Sequence, residues 1–359
     1  MIPVNKLTAA DTQRIKNIQQ AIREEDSLLK AKYPILNHQN TLGLIICLTA
    51  FAGMIATGAA YLYDLIPAWM CIIVATIFAS ISHEIEHDLI HRLYFRKNAF
   101  IHNMMMAIVW IMRPNTVNPW YRRSIHFNHH KTSGTEDDIE ERVIGNGMQF
   151  GWKRLLISLD GFLSISLRQK ELRGMKDYNY FAFVLKGAPL AHMFVALLYS
   201  FVAFHGFDFA VNQMQITVVY PELLLTAVDF LNITAVVWIL PNALRALCLH
   251  NITTLMHYYG DVDSLLKQCQ VMNHWSLLPV QLFSFNFGAT HTLHHFVVSQ
   301  PFYLRQMVAK KVYPVLKDNG VRFNDFSSLV RSNRFNLSDQ AVDTQESNAT
   351  NATNATNAT

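Results

Sequence analysis

Histidines occur in this chain in groups whose spacing suits metal binding. His83, His87 and His91 (HEIEHDLIH) stand four residues apart, so a helix carries all three on one face. His126, His129 and His130 (HFNHH) and His291, His294 and His295 (HTLHH) repeat a single HxxHH spacing, in which i, i+3 and i+4 converge on one side of a helix. His250 and His257 lie seven apart, again at helical register. Neutral imidazole suits iron, zinc, copper or nickel rather than calcium or magnesium. One tetrahedral zinc needs four ligands; the box histidines together with His257 exceed that, so the count points to two metals of higher coordination number. His38, His102, His192, His205 and His274 stand outside these groups and read as non-ligands.

Two other chemistries compete. His83-Glu84-Ile85-Glu86-His87 is a literal HExxH, in which two histidines hold zinc and Glu84 is the general base of a peptidase. An intramembrane zinc protease adds a third ligand, and Asp229 is the one acid inside an apolar stretch; it sits near the far end of that stretch, and a peptidase leaves both HxxHH groups unexplained. A bis-histidine haem carrier needs paired histidines within spans, whereas His192 and His205 lie near opposite ends of one stretch.

The elements that must position these residues follow from composition. Hydrophobic residues make up 51% of the chain and charged residues 16%, against roughly 25% charged in soluble domains, and the mean hydropathy is +0.14. A soluble, disordered or collagen-like chain is excluded. The net charge of +4 and the lack of a large basic domain leave no expected nucleic-acid partner. Cys47, Cys71, Cys248 and Cys269 form no CxxC pair, so neither an iron-sulfur cluster, a zinc ribbon nor a disulfide framework is indicated.

Four apolar stretches, about 41–63, 65–82, 187–207 and 223–244, carry no charge except Asp229 and are long enough for membrane spans. Neither short connection holds any of the 30 Lys and Arg, which puts both termini and both large polar segments in the cytoplasm by the positive-inside rule. No signal-peptide pattern precedes the first stretch. Residues 99–112 are apolar but short, and read as re-entrant, interfacial or packed on other helices. Ile15, Ile18 and Ile22 behind an Asp11 cap predict an N-terminal helix, either amphipathic at a surface or simply solvated. The tail 347–359 is an NAT repeat, low in complexity and expected to be disordered; each unit is formally a glycosylation sequon.

With three histidine boxes on four spans, the chain resembles the membrane fatty acid desaturase and hydroxylase superfamily over about residues 41–304. HHFVVSQPFYL (294–304) resembles the family's pattern after the last box, with Pro301 and Tyr303 in place. The resemblance implies an all-α integral membrane protein of four transmembrane helices with a cytoplasmic helical cap. Around the catalytic domain (41–304) it leaves an N-terminal segment (1–40) and a C-terminal segment (305–346), both cytoplasmic, in a bacterial inner membrane or the endoplasmic reticulum.

It further implies two iron ions held by His83, His87, His126, His129, His130, His257, His291, His294 and His295, with His257 in MHYYG as the extra ligand before the last box. O2 is the co-substrate, and the substrate is an acyl chain or related lipid from the bilayer, desaturated at an unactivated C–H bond. Hydroxylation of a lipid, alkane or terpenoid on the same scaffold is the alternative. Electrons must come from outside, from ferredoxin or cytochrome b5 with its reductase, because the chain has no dinucleotide-binding glycine motif, cysteine cluster or HPGG segment.

Two departures bear on substrate. Box one runs on to His91, which is open to a role as ligand, as ligand partner or as surface residue; Val298 stands where many acyl-lipid desaturases have proline. His250 is a further candidate for either of the first two roles. Metal-bound histidines usually donate their other ring N–H to a carboxylate, for which Glu84, Glu86, Asp88 and the run Glu136, Asp137 and Asp138 are candidates. Trp110, Trp120 and Trp275 are read as lining the substrate path or anchoring the interface.

Overall fold

The computed structural model describes residues 8–175 and 178–336, so the NAT repeat lies outside the described residues. The described residues form an all-helical fold: α1 Ala9–Lys32, α2 Gln39–Leu62, α3 Ala68–Ile90, α4 Ala99–Met112, α5 Pro119–Thr132, α6 Ile139–Val143, α7 Trp152–Leu159, α8 Gly161–Leu167, α9 Gln169–Leu172, α10 Tyr180–Gly187, α11 Leu190–Gln213, α12 Glu222–Thr234, α13 Leu240–Met256, α14 Leu278–Phe283, α15 Phe287–Phe296 and α16 Phe302–Asp318. Among the described residues β pairing is limited to two bridges, His257 with Cys269 and Val271 with Phe323.

Among the described residues four helices are long and apolar enough to cross a membrane: α2, α3, α11 and the continuous run Glu222–Met256. At 23 to 35 residues and 1.5 Å per residue, each exceeds the roughly 30 Å of a bilayer core. Their ends move from the sequence expectation for local reasons. Pro67 and Pro189 are the N-caps of α3 and α11, so these helices begin at 68 and 190 rather than 65 and 187. A π turn over Ala235–Ile239 joins α12 to α13 just before Pro241. Proline has no N–H to give its helix and clashes with the preceding turn, and one wide turn absorbs both defects.

Helix α3 runs past the expected end of the second span and stays wholly buried from Ser82 to Ile90, bringing box one into the core. The short helix α4 packs on it through Met105, Met106 and Val109, all fully buried beside Ile85 and Leu89. The methionine run is therefore packing. At Gly53 of α2 the ring of Phe78 on α3 occupies the space a Cβ would need, which explains glycine there.

The N-terminal helix packs one face on the rest of the protein and leaves the other exposed. Thr8, not Asp11, is its N-cap, accepting from the Asp11 amide. Ile18 and Ile22 are fully buried against Leu293 and Phe296 of α15 and Val308, Val312 and Leu316 of α16. Gln19 donates to the Phe296 carbonyl at 3.1 Å and Lys311 reaches Glu25 at 2.8 Å. Helix α1 thus covers the outer side of the third histidine box. Ile22→Ala is expected to cost about 2–5 kcal/mol of stability, read as a lowered thermal midpoint of the purified protein in detergent.

Candidate metal centre

Each histidine group is delivered by one helix end. His83 and His87 ride the last turns of α3, which stops at its C-cap, His91. Helix α5 starts behind the Asn118 cap with Pro119 and carries His126, His129 and His130. Helix α13 ends at its C-cap His257, whose backbone is extended (φ −92°, ψ 132°). His291, His294 and His295 lie on the buried helix α15.

The structure gathers these side chains into two adjoining groups. In the first, one ring nitrogen from each of His87, His91, His126 and His294 lies within 4.8 Å of the others. His91 Nε2 is 3.0 Å from His126 Nε2 and 3.0 Å from His294 Nε2. His130 Nε2 joins them, 3.2 Å from His91 and 3.0 Å from His294. In the second group His129, His257, His291 and His295 converge in the same way, with His295 Nε2 3.2 Å from His291 and 3.4 Å from His257. The two groups touch through His87 with His291 (ring centroids 5.2 Å) and His130 with His295 (5.0 Å).

His83 stands beside both groups, its ring 5.3 Å from Phe287 and both nitrogens buried without a protein partner. His87 likewise has two unpartnered nitrogens and His291 an unpartnered Nδ1. Buried polar atoms without partners are costly, and convergent nitrogens at these separations leave several lone pairs facing each other. A metal ion satisfies them together, so the donor set fits two histidine-bound metals. Burial lowers the pKa of His91, His130, His291, His294 and His295 below the ordinary imidazole value, keeping them in the neutral form that binds metal.

His91 belongs to the first group rather than to the surface. His250 belongs to neither: its Nδ1 lies 3.0 Å from the Ser158 carbonyl.

The outer nitrogens meet a set of acceptors only partly legible beforehand. His129 Nδ1 donates to Asp138 Oδ2 at 2.9 Å and His126 Nδ1 to Glu140 Oε2 at 2.8 Å. His257 Nδ1 faces the Thr253 carbonyl at 2.9 Å and Glu141 Oε2 at 3.4 Å, and His295 Nδ1 faces Gln268 Oε1 at 3.1 Å. His294 Nδ1 instead faces Arg305 Nη1 at 2.9 Å. Asp138 is the N-cap of α6, so a single helical turn supplies Asp138, Glu140 and Glu141 to three histidines. Burial works against a charge on His129, yet Asp138 raises its pKa to about 9.

The other carboxylates are placed differently. Glu136 and Asp137 are exposed. Glu86 pairs with Arg113 and, at 3.0 Å, with Arg122. Glu84 meets Arg305 Nη2 at 2.8 Å, and Asp88 accepts from the Tyr94 hydroxyl at 2.7 Å and the Phe302 amide at 2.9 Å, with its nearest imidazole nitrogen 4.0 Å away. Glu84 is thus held by Arg305 through one oxygen, while its other oxygen is buried without a partner. Asp138→Asn is expected to lower metal affinity 10- to 100-fold, since an amide loses the strong acceptor that orients His129; metal retention on dialysis against a chelator measures it.

A cavity of about 360 Å³ opens from His83, His87, His126, His129 and His291. Its outer walls include Ile125, Val143, Phe183, Val184 and Val195. Trp110, Trp120 and Trp275 do not line it: the first two pack edge to face at 6.3 Å, and Trp275 is largely exposed.

Residues 64–327 match the family model described as fatty acid desaturase, a stretch that holds all three histidine boxes and His257. No curated protein matches the chain.

Proposed function

The chain belongs to the fatty acid desaturase family, and from that premise we propose that it is an O2-dependent membrane oxidoreductase that desaturates an acyl chain or related lipid. The observation that carries this reading is the pair of adjoining histidine groups at the inner end of an apolar cavity. Two irons bound there supply, with O2, the power to remove hydrogen from an unactivated C–H bond.

The residues of the chain have distinct tasks in this reading. Asp138, Glu140, Glu141 and Gln268 hold the Nδ1 sides of their histidines, fixing the ring orientations so that Nε2 is the donor atom. Apolar walls at Ile125, Val143 and Val184 exclude water and hold the hydrocarbon against the histidine end.

The polar segments with the histidine groups and both termini lie on the cytoplasmic side, consistent with the absence of Lys and Arg from the two opposite connections. The domain layout of segments 1–40, 41–304 and 305–346 belongs to the same proposal. Electrons arrive from a separate carrier, ferredoxin or cytochrome b5 with its reductase.

Mass spectrometry of lipids after expression in a host with such a reductase tests the reading. Loss of two hydrogens from an acyl chain is the predicted result; gain of one oxygen assigns hydroxylation instead, and an unchanged lipid profile contradicts both.

A further inference from the structure

Three arginines crowd one end of the cavity with too few acids to match them. Arg113, Arg122 and Arg245 all line it, and Arg113 and Arg245 are each 2% exposed. Glu86 answers Arg113 and Arg122, and Glu140 meets Arg122 at 3.2 Å while also holding His126. The other acids lining the cavity are engaged elsewhere: Glu141 faces His257, and Asp160 caps α8 and accepts from the Tyr199 hydroxyl.

Arg245 has no carboxylate within ion-pair distance among the described residues. It donates to Asn115 Oδ1 at 2.8 Å and, at 3.4 Å, to Asn242 Oδ1. Arg113 Nε is buried with no partner at all. A guanidinium shielded from water needs an opposite charge, and Arg245 stands on a helix long and apolar enough to cross a membrane, where an unpaired cation is more costly still. The neighbouring cavity is mostly apolar, so the missing partner is the charged end of an amphiphile.

We propose that the substrate enters with a free terminal carboxylate and that Arg245, with Arg113 beside it, binds that carboxylate inside the protein. This rests on the reading of the cavity as the substrate site. The planar guanidinium matches a carboxylate in two parallel hydrogen bonds. A hydrocarbon without a head group leaves Arg245 uncompensated, and a thioester or ester presents only a neutral carbonyl there. Phosphate offers similar acceptors and is separated by the test.

Calorimetric titration of the full-length protein in detergent with dodecanoate, methyl dodecanoate and dodecyl phosphate decides the matter without turnover. Dodecanoate is expected to bind at least tenfold more tightly than its methyl ester. Arg245→Gln is expected to abolish that difference while leaving ester affinity unchanged, and Arg245→Lys to restore part of it. Equal affinity for acid and ester, preference for the phosphate over the carboxylate, or a variant that weakens acid and ester alike overturns the carboxylate site while leaving lipid oxidation standing. Binding of none of the three overturns both.

Discussion

His129→Ala is expected to abolish oxidation and strip at least the second metal position. The ring is one of four convergent, fully buried histidines. Its removal also leaves Asp138, 1% exposed, without its imidazole partner. Since loss of an orienting partner alone costs 10- to 100-fold, loss of the ligand is expected to exceed about 100-fold in activity. The measurement is metal content and product formation in parallel, with His38→Ala and His250→Ala as comparisons. His38 is exposed and His250 faces the Ser158 carbonyl, so both variants are expected to keep their metal.

Arg305→Met is expected to be the most destabilising single change among the buried charges. Arg305 reaches Glu84 at 2.8 Å and Asp88 at 3.6 Å, and all three side chains are at most 1% exposed. It therefore ties α16 to the turn of α3 that carries His83 and His87. Methionine roughly fills the space but leaves two buried carboxylates without a cation. Breaking a buried pair in this way costs about 3–5 kcal/mol. Thermal unfolding in detergent reads the loss; a variant with unchanged thermal stability contradicts the role. The double replacement Glu84→Gln with Arg305→Met is expected to recover part of the stability, because one of the orphaned charges is then absent.

The histidine groups were legible because helical periodicity alone brings i, i+3 and i+4 to one face, and both HxxHH runs lie on helices as that spacing requires. The four spans were legible from the near-absence of charge; Pro67 and Pro189 displace two of the starts, while the helices of the second, third and fourth spans run on past the uncharged stretches that marked them. Less legible was which carboxylate serves which ring. Glu84, Glu86 and Asp88 sit among the box-one histidines in sequence, but on α3 they turn to Arg305, Arg113, Arg122 and Tyr94. Glu140 and Glu141 reach the centre through the cap geometry of α6; the signal present in the sequence was an acidic run ending where a helix begins.

Long-range pairing explains the remaining differences. The burial of Ile18 and Ile22 depends on α15 and α16, whose docking no local pattern in the first 40 residues encodes. His250 shares a helical register with His257, but its Nδ1 is taken by the Ser158 carbonyl, 92 residues away in the chain. The surplus charge at Arg245 emerges only when α13 is packed beside the segment carrying Arg113 and Asn115.

Metal analysis of the purified full-length protein by mass spectrometry, with oxidation assayed on the same sample, tests the account at its centre. Two adjoining histidine groups predict about two irons per chain and O2-dependent loss of hydrogen from a lipid. One zinc per chain accompanied by peptidase activity would contradict it.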